Sequence, residues 1–265
     1  MPVESASVMG VPDTVDTGPQ GRVGQFVVEC AFSHVAPDDP IVYPGRSGAS
    51  HLHVFFGNTS VTASSKAEDL VGADTTCDNS LDTAAYWAPA LLRAGEPIEP
   101  VEAVAYYRAG FGVDPRSVEP YPSGLAMIAG DAAALEPQPV EVVSWSCGTG
   151  ALREVTPTEC PLGEGLVLRV VFPDCWDGRS LDSPGHRAHV RYSSRGLCPD
   201  SHPVPVPQLT FTVDFGDVGD VAGLALASGD LTTGHADFVN SWDQDRLESE
   251  IRQCLHRDLV CGVNS

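Results

Sequence analysis

Lysine is almost missing from this chain: Lys66 is the only one, and all other fixed positive charge is arginine. Lys and Arg together number 15 against 36 Asp and Glu, a formal net charge of −21. A surface this acidic repels nucleic acid and anionic membranes. It also disfavours polyanionic substrates unless a local arginine cluster overrides the global field. No apolar run approaches the ~20 residues of a membrane span, so neither nucleic acid nor membrane is an expected partner. No signal peptide is visible; the polar, acidic stretch after Met1 reads as the start of a chain whose leader has been removed. No CxxC pair occurs, which argues against a zinc ribbon or a thioredoxin-like motif. GxSxG, P-loop, HExxH and dinucleotide fingerprints are absent too, so those mechanisms lose their usual support. Heptads and Gln/Asn-rich tracts, the marks of filaments, are missing as well.

What is present points to a secreted β protein. The 265 residues include eight cysteines, an even set dispersed over the chain. That pattern suits disulfides formed in an oxidising compartment, and sequential pairing (30–77, 147–160, 175–198, 254–261) is the simplest arrangement. Glycine and proline, 26 and 22, punctuate the whole sequence. Strand-like runs recur between such turn residues at 25–30, 51–56, 101–108, 126–128, 140–145, 166–172, 189–192 and 209–213. This spacing predicts an all-β, single-domain antiparallel β-sandwich or jelly roll with long loops. Short helices are expected at 65–70, 82–92 and 243–254. Residues 1–24, small, polar and acidic, read as a loose N-terminal arm before a sandwich domain over 25–265.

Chemistry concentrates in a few segments. In the segment Ser50-His51-Leu52-His53-Val54-Phe55-Phe56-Gly57-Asn58, strand alternation sends both imidazoles to one face. Such a pair can hold a metal, move protons or bind a hydroxylated ligand; the ordinary alternative is a core histidine satisfied by backbone. His34 and Asp39 precede this strand, and a carboxylate beside a neutral histidine makes a candidate general base. Tyr86 and Trp87 are candidates for an aromatic platform under a sugar ring. Tyr107 and Arg108 read as a clamp, with alternation placing Tyr107 on one face and Tyr106 with Arg108 on the other. The segment from Phe172 to Tyr192 gathers Trp176, Asp177, His186, His189 and Arg191, although Asp-Gly and Asp-Ser-Pro are also plain turn builders. His235 and Asp237, at i and i+2, share a face if their segment is a strand.

Five blocks, SHVAPDDPIVYPGRSGASHLHVFFGN, TTC with AYWAPAL, FPDCWDGRSLDSPGHRAHVRY, CPDSHPVPVPQL and SGDLTTGHADFVNSW, cover most of residues 30–254. Through them the chain resembles the family known as domain of unknown function nineteen-ninety-six. That family occurs in secreted proteins of filamentous fungi and actinobacteria, sometimes beside carbohydrate-binding WSC modules. The resemblance singles out His34, Asp39, His51, His53, Asn58, Tyr86, Trp87, Cys175, Trp176, Asp177, His186, His189, His202 and His235. It implies secretion and a glycan context.

The resulting expectation is a secreted, extracellular, monomeric enzyme cleaving a polysaccharide, as a hydrolase or a lyase, in a His-rich cleft. His51, His53, His189, Asp39, Asp177 and Arg191 are its candidate catalytic groups. Tyr86, Trp87, Asn58, Tyr107, Arg108, Trp176, His186 and His235 are its candidate ligand contacts. No cofactor is required by that reading. The rivals are a non-catalytic carbohydrate or cell-wall binding protein, and a metal protein using a divalent transition ion or calcium, with His51, His53 and His34 as ligands.

Overall fold

The computed structural model describes residues 24–148 and 152–262, together with the backbone of a short pairing between Thr17–Gly18 and Gly21–Arg22. Apart from that pairing and Gly24, the loose arm expected over 1–24 lies outside the described residues. Nine strands follow one hydrogen-bonded path. In chain order they are β1 (Gln25–Ala36), β2 (His53–Gly57), β3 (Ala85–Pro89), β4 (Glu102–Arg108), β5 (Ala126–Gly130), β6 (Val143–Cys147), β7 (Leu166–Val171), β8 (Gln208–Asp214) and β9 (His235–Val239). The order across the sheet is β6-β7-β8-β4-β1-β2-β3-β9-β5, antiparallel throughout. A final strand, β10 (Val260–Cys261), adds in parallel to the start of β1. The all-β sandwich expected from the sequence is what forms.

β1 is the hinge of the sandwich. Its first part, Gln25 to Ala31, pairs with β4, and its second part, Phe32 to Ala36, pairs with β2. A register shift between Phe32 and His34 separates the two. A bulge of this kind bends a strand from one sheet layer into another. The sheet therefore folds over on itself, with β1 at the corner, and β5 comes back against β7.

Alternation fills the space between the layers. Phe26, Val28, Tyr107, Leu209, Phe211, Leu168 and Val170 from one layer meet Val54, Phe56, Tyr86, Ala88, Met127, Ala236 and Phe238 from the other. A second, smaller core lies on the outer face of the β2-β3-β9-β5 layer. There Phe55, Ala85, Trp87, Ile128 and Val239 are covered by Ile41 and Val61 from the loops on either side of β2 and by Leu70, which ends the short helix Ala67–Leu70 that forms where one is expected at 65–70. This layer is thus buried on both faces, which explains a correction. Residues 82–92 are not helical but contain β3, because Tyr86 and Trp87 must fill opposite cores; a short apolar run cannot be told from a helix by periodicity alone. The helix expected near 243–254 forms as α1 (Gln244–Glu250), continued by one wide turn over Ile251–Leu255.

All eight cysteines pair in sequence order, Cys30–Cys77, Cys147–Cys160, Cys175–Cys198 and Cys254–Cys261. The first closes a loop spanning 47 residues between β1 and the loop after β2. On chain-entropy grounds that closure contributes about 4 kcal/mol. No helix among the described residues is long and apolar enough to cross a membrane.

Candidate functional site

The outer face of the β2-β3-β9-β5 layer carries a group of three imidazoles. His53 opens β2 and stands opposite Pro89 of β3. On the far side of β3, Asp237 of β9 stands opposite Trp87, which puts His235 level with Pro89. Proline carries no long side chain, so the two rings meet above it with centroids 5.8 Å apart. His51, two residues before His53, brings its ring within 4.2 Å of His53 and 5.0 Å of His235. His53 and His235 are buried and His51 is half-buried, so the group opens toward solvent on the His51 side.

Backbone carbonyls fix the tautomers. His53 Nδ1–H donates to the Asp38 carbonyl at 3.0 Å, and His235 Nδ1–H donates to the Thr233 carbonyl at 2.8 Å. A carbonyl only accepts, so each Nε2 is left with a free lone pair. For His235 that lone pair faces His51 Nε2 at 3.2 Å. For His53 it faces no partner at all, although the atom is fully buried. Burial holds the His53 and His51 rings below the usual imidazole range and takes His235 down to about 4. All three are therefore neutral near pH 7. The ligand atoms of the three residues lie within 4.8 Å of one another.

A carboxylate completes the face. Asp237 is buried, and its Oδ2 has no hydrogen-bond partner. Burial pushes its carboxyl well above the ordinary range, and the nearby charge of Asp39 pushes it further. Asp39 is itself buried at the margin, held by the Ile41 and Val42 amides at 3.0 and 2.9 Å on its Oδ1. Trp87 Nε1 and Ser50 Oγ are two more buried polar atoms without partners. The exposed Arg187 is close enough for its charge to act on both His235 and Asp237, and His186 acts similarly on Asp39.

Several candidate residues take other places. Tyr86, Trp87 and Tyr107 are fully buried, so no sugar ring can stack on them. Tyr86 and Tyr107 instead join their hydroxyls across the main core. Asn58 is saturated by Leu70, Thr83 and Ser60, pinning the loop after β2. His189 is buried between Ser183 and the Ala126 carbonyl, and does not join the imidazole group. Asp177 accepts the Arg179 and Ser180 amides in a turn, and Trp176 donates to the Ser180 carbonyl within it. Arg191 is exposed and bonds only nearby carbonyls. His34 stacks flat on Phe55 at 4.6 Å and bonds Ser33, so the third imidazole beside His51 and His53 is His235, not His34. His202 caps the Ala188 carbonyl. Arg108 lies on the outer face of the opposite layer.

The sequence marked the components but not their meeting. His-x-His and His-x-Asp each declare a shared strand face, yet nothing local says that β2 and β9 flank one strand. Arg187 carried no signal beyond its charge.

Fold and site together define an all-β sandwich protein with a buried imidazole group over an unpartnered carboxylate. The chain belongs to the family described as domain of unknown function (DUF1996), whose model matches residues 39–242. No curated protein and no solved structure matches it.

Proposed function

We propose that this is a secreted metal-dependent hydrolase of extracellular glycans, with one divalent transition ion held by His51, His53 and His235. The observation that carries the reading is the buried, partnerless Nε2 of His53 inside a group whose ligand atoms lie within 4.8 Å of one another. Tetrahedral coordination at 2.0–2.1 Å sets two nitrogens roughly 3.3 Å apart, and the His51–His235 pair stands at 3.2 Å. The carbonyls that hold the far nitrogens of His53 and His235 are the kind of outer partner that orients ligating imidazoles. Three nitrogens favour zinc or copper over calcium, which takes oxygen. Three protein ligands also leave a position for water, which such an ion activates near neutral pH. That open position favours hydrolysis over lyase chemistry, and Asp237 on the same face, its carboxyl pushed up by burial, is the acid to give a proton to the leaving group. Four disulfides support secretion, and the company kept by the resembling domains supports a glycan substrate.

A second reading, metal-free acid–base catalysis by the His51–His235 pair, is favoured by their contact at 3.2 Å. Metal analysis of untagged protein, loaded with zinc, copper or cobalt and then dialysed, separates the two. About one ion per chain is expected, lost in His53→Ala and His235→Ala variants whose circular dichroism is unchanged. Reducing-sugar release from a glycan panel should then stop with a chelator. A wild-type chain that retains none of the three ions, or sugar release that persists without metal, sinks the metal centre.

A further inference from the structure

The opposite layer of the sandwich carries a second polar site, built from different residues. On the outer face of β4, β7 and β8, alternation turns out Tyr106, Arg108, Arg169, Thr210 and Thr212. Together with Gln25, Ser146 and Arg153 they line a cavity of about 480 Å³. Arg153 reaches it from a loop held beside β6 by paired Trp145–Glu154 amides and carbonyls.

Three of the 15 basic residues of a chain with net charge −21 thus converge on one cavity. Among the described residues no carboxylate comes within ion-pair reach of any of them; the ion pairs lie elsewhere, at His186–Asp182, Arg246–Glu250 and Arg252–Glu248. Glu29, Glu102 and Asp214 share this face of the sheet but do not neutralise the cluster. Arg169 is only 7% exposed, and its Nη1 has no hydrogen-bond partner. Thr210, 4% exposed, leaves its Oγ1 equally unpartnered. A buried, unpaired guanidinium is costly. Burial and the charges of Arg153 and Arg108 lower the Arg169 pKa to about 9. Nothing in the fold requires an arginine at this position on β7, where valine and leucine fill the neighbouring sites.

We propose that this pocket binds the oxyanion group of a small hydroxylated ligand, an acidic sugar unit. Guanidinium forks match the planar geometry of a carboxylate and the edges of a sulfate or phosphate ester. The Tyr106, Thr210, Thr212 and Ser146 hydroxyls and the Gln25 amide complement sugar hydroxyls, and the volume is that of an ordinary small-molecule site. The local field inverts that of the whole molecule, so an acidic unit is accepted here while the rest of the surface repels polyanions. The site stands independently of the imidazole group.

The test is ligand-dependent thermal stability of the whole chain in low-salt buffer, with titration calorimetry. Glucuronate and glucose 6-phosphate should raise the melting temperature saturably, glucose should not, and inorganic phosphate should act more weakly than either. Arg169→Met should melt higher than wild type without ligand, because an unpaired charge has gone, yet bind glucuronate roughly tenfold to a hundredfold more weakly. Arg169→Lys, keeping charge without the fork, should fall between. Thr210→Val, which keeps shape, is the second reporter should Arg169 variants fold poorly, and it too should weaken binding. Equal protection by phosphate, sulfate and glucuronate would mean an adventitious ion only. That result, undiminished protection by glucuronate in Arg169→Met, or no protection in the wild type would each overturn the proposal.

Discussion

Asp82 ends a buried chain of hydrogen bonds that ties the two layers together. Trp242 Nε1–H donates to the Tyr107 hydroxyl at 3.2 Å, Tyr107 and Tyr86 share a hydroxyl contact, and Tyr86 donates to Asp82 Oδ2 at 2.6 Å. The other carboxylate oxygen accepts the Ala84 amide at 3.0 Å. Burial nonetheless pushes Asp82 from 3.8 up to about 8, more strongly than these donors pull it down. Between those values the folded state keeps a proton that the unfolded chain has released. Stability from this group is therefore complete below about pH 4, falls as pH rises, and levels off above pH 8. The limiting slope is about 1.4 kcal/mol per pH unit. Asp82→Asn should flatten this part of the stability–pH curve, measured by urea unfolding from pH 5 to 9. If both proteins lose stability in parallel with pH, Asp82 is not the group responsible.

At the scale of elements, the approach of β9 to β5 sets the imidazole group. Gly130 ends β5 opposite His235, with φ at +80°, and a Cβ there would meet the Gly234 carbonyl oxygen at 2.5 Å and His235 Cα at 2.7 Å. Only glycine satisfies both the left-handed backbone and the close approach. Gly130→Ala should lower stability by roughly 2–5 kcal/mol, combining left-handed strain with overpacking, and should displace His235. Gly45, at φ +72° with open space around it, is the control: Gly45→Ala should cost only the strain, about 1–2 kcal/mol. Thermal or urea unfolding that finds equal losses would show that the close approach does not matter. This element also marks the limit of legibility. β2, β4, β5, β7 and β8 were readable because each alternates or runs apolar between turn residues. β3 was misread as helical because both of its faces are buried. His51 and His53 could be placed together by strand geometry alone. Their third partner could not, since it arrives from a strand some 180 residues away whose position depends on long-range pairing. Buried tyrosines and tryptophans mislead for a related reason: sequence shows an aromatic's chemistry but not which core it fills.

The whole molecule is governed by a charge of −21, which its ion pairs do little to offset. Among the described residues, the Arg246–Glu250 and Arg252–Glu248 pairs are local to the C-terminal helix, and His186–Asp182 is partly exposed and needs a protonated ring. Arg246–Glu250 is partly buried, but the exposed Arg252–Glu248 pair contributes little, and the three-arginine pocket adds repulsion of its own. Mutual repulsion among carboxylates is relieved when the chain expands, so it favours the unfolded state. Added salt shortens the screening length from about 30 Å at 0.01 M to about 3 Å at 1 M, and the compact state gains most from this. The melting temperature should therefore rise with sodium chloride from low salt upward, by on the order of 1 kcal/mol or roughly 2–4 °C. Chloride also supplies a weak counter-ion to the arginine cavity, so the rise should be smaller in Arg169→Met, where one of those charges is gone. A calorimetric series in which salt lowers the melting temperature would mean that attractive pairs outweigh the net charge. The acidic surface would then be a stabilising network, not a tolerated strain.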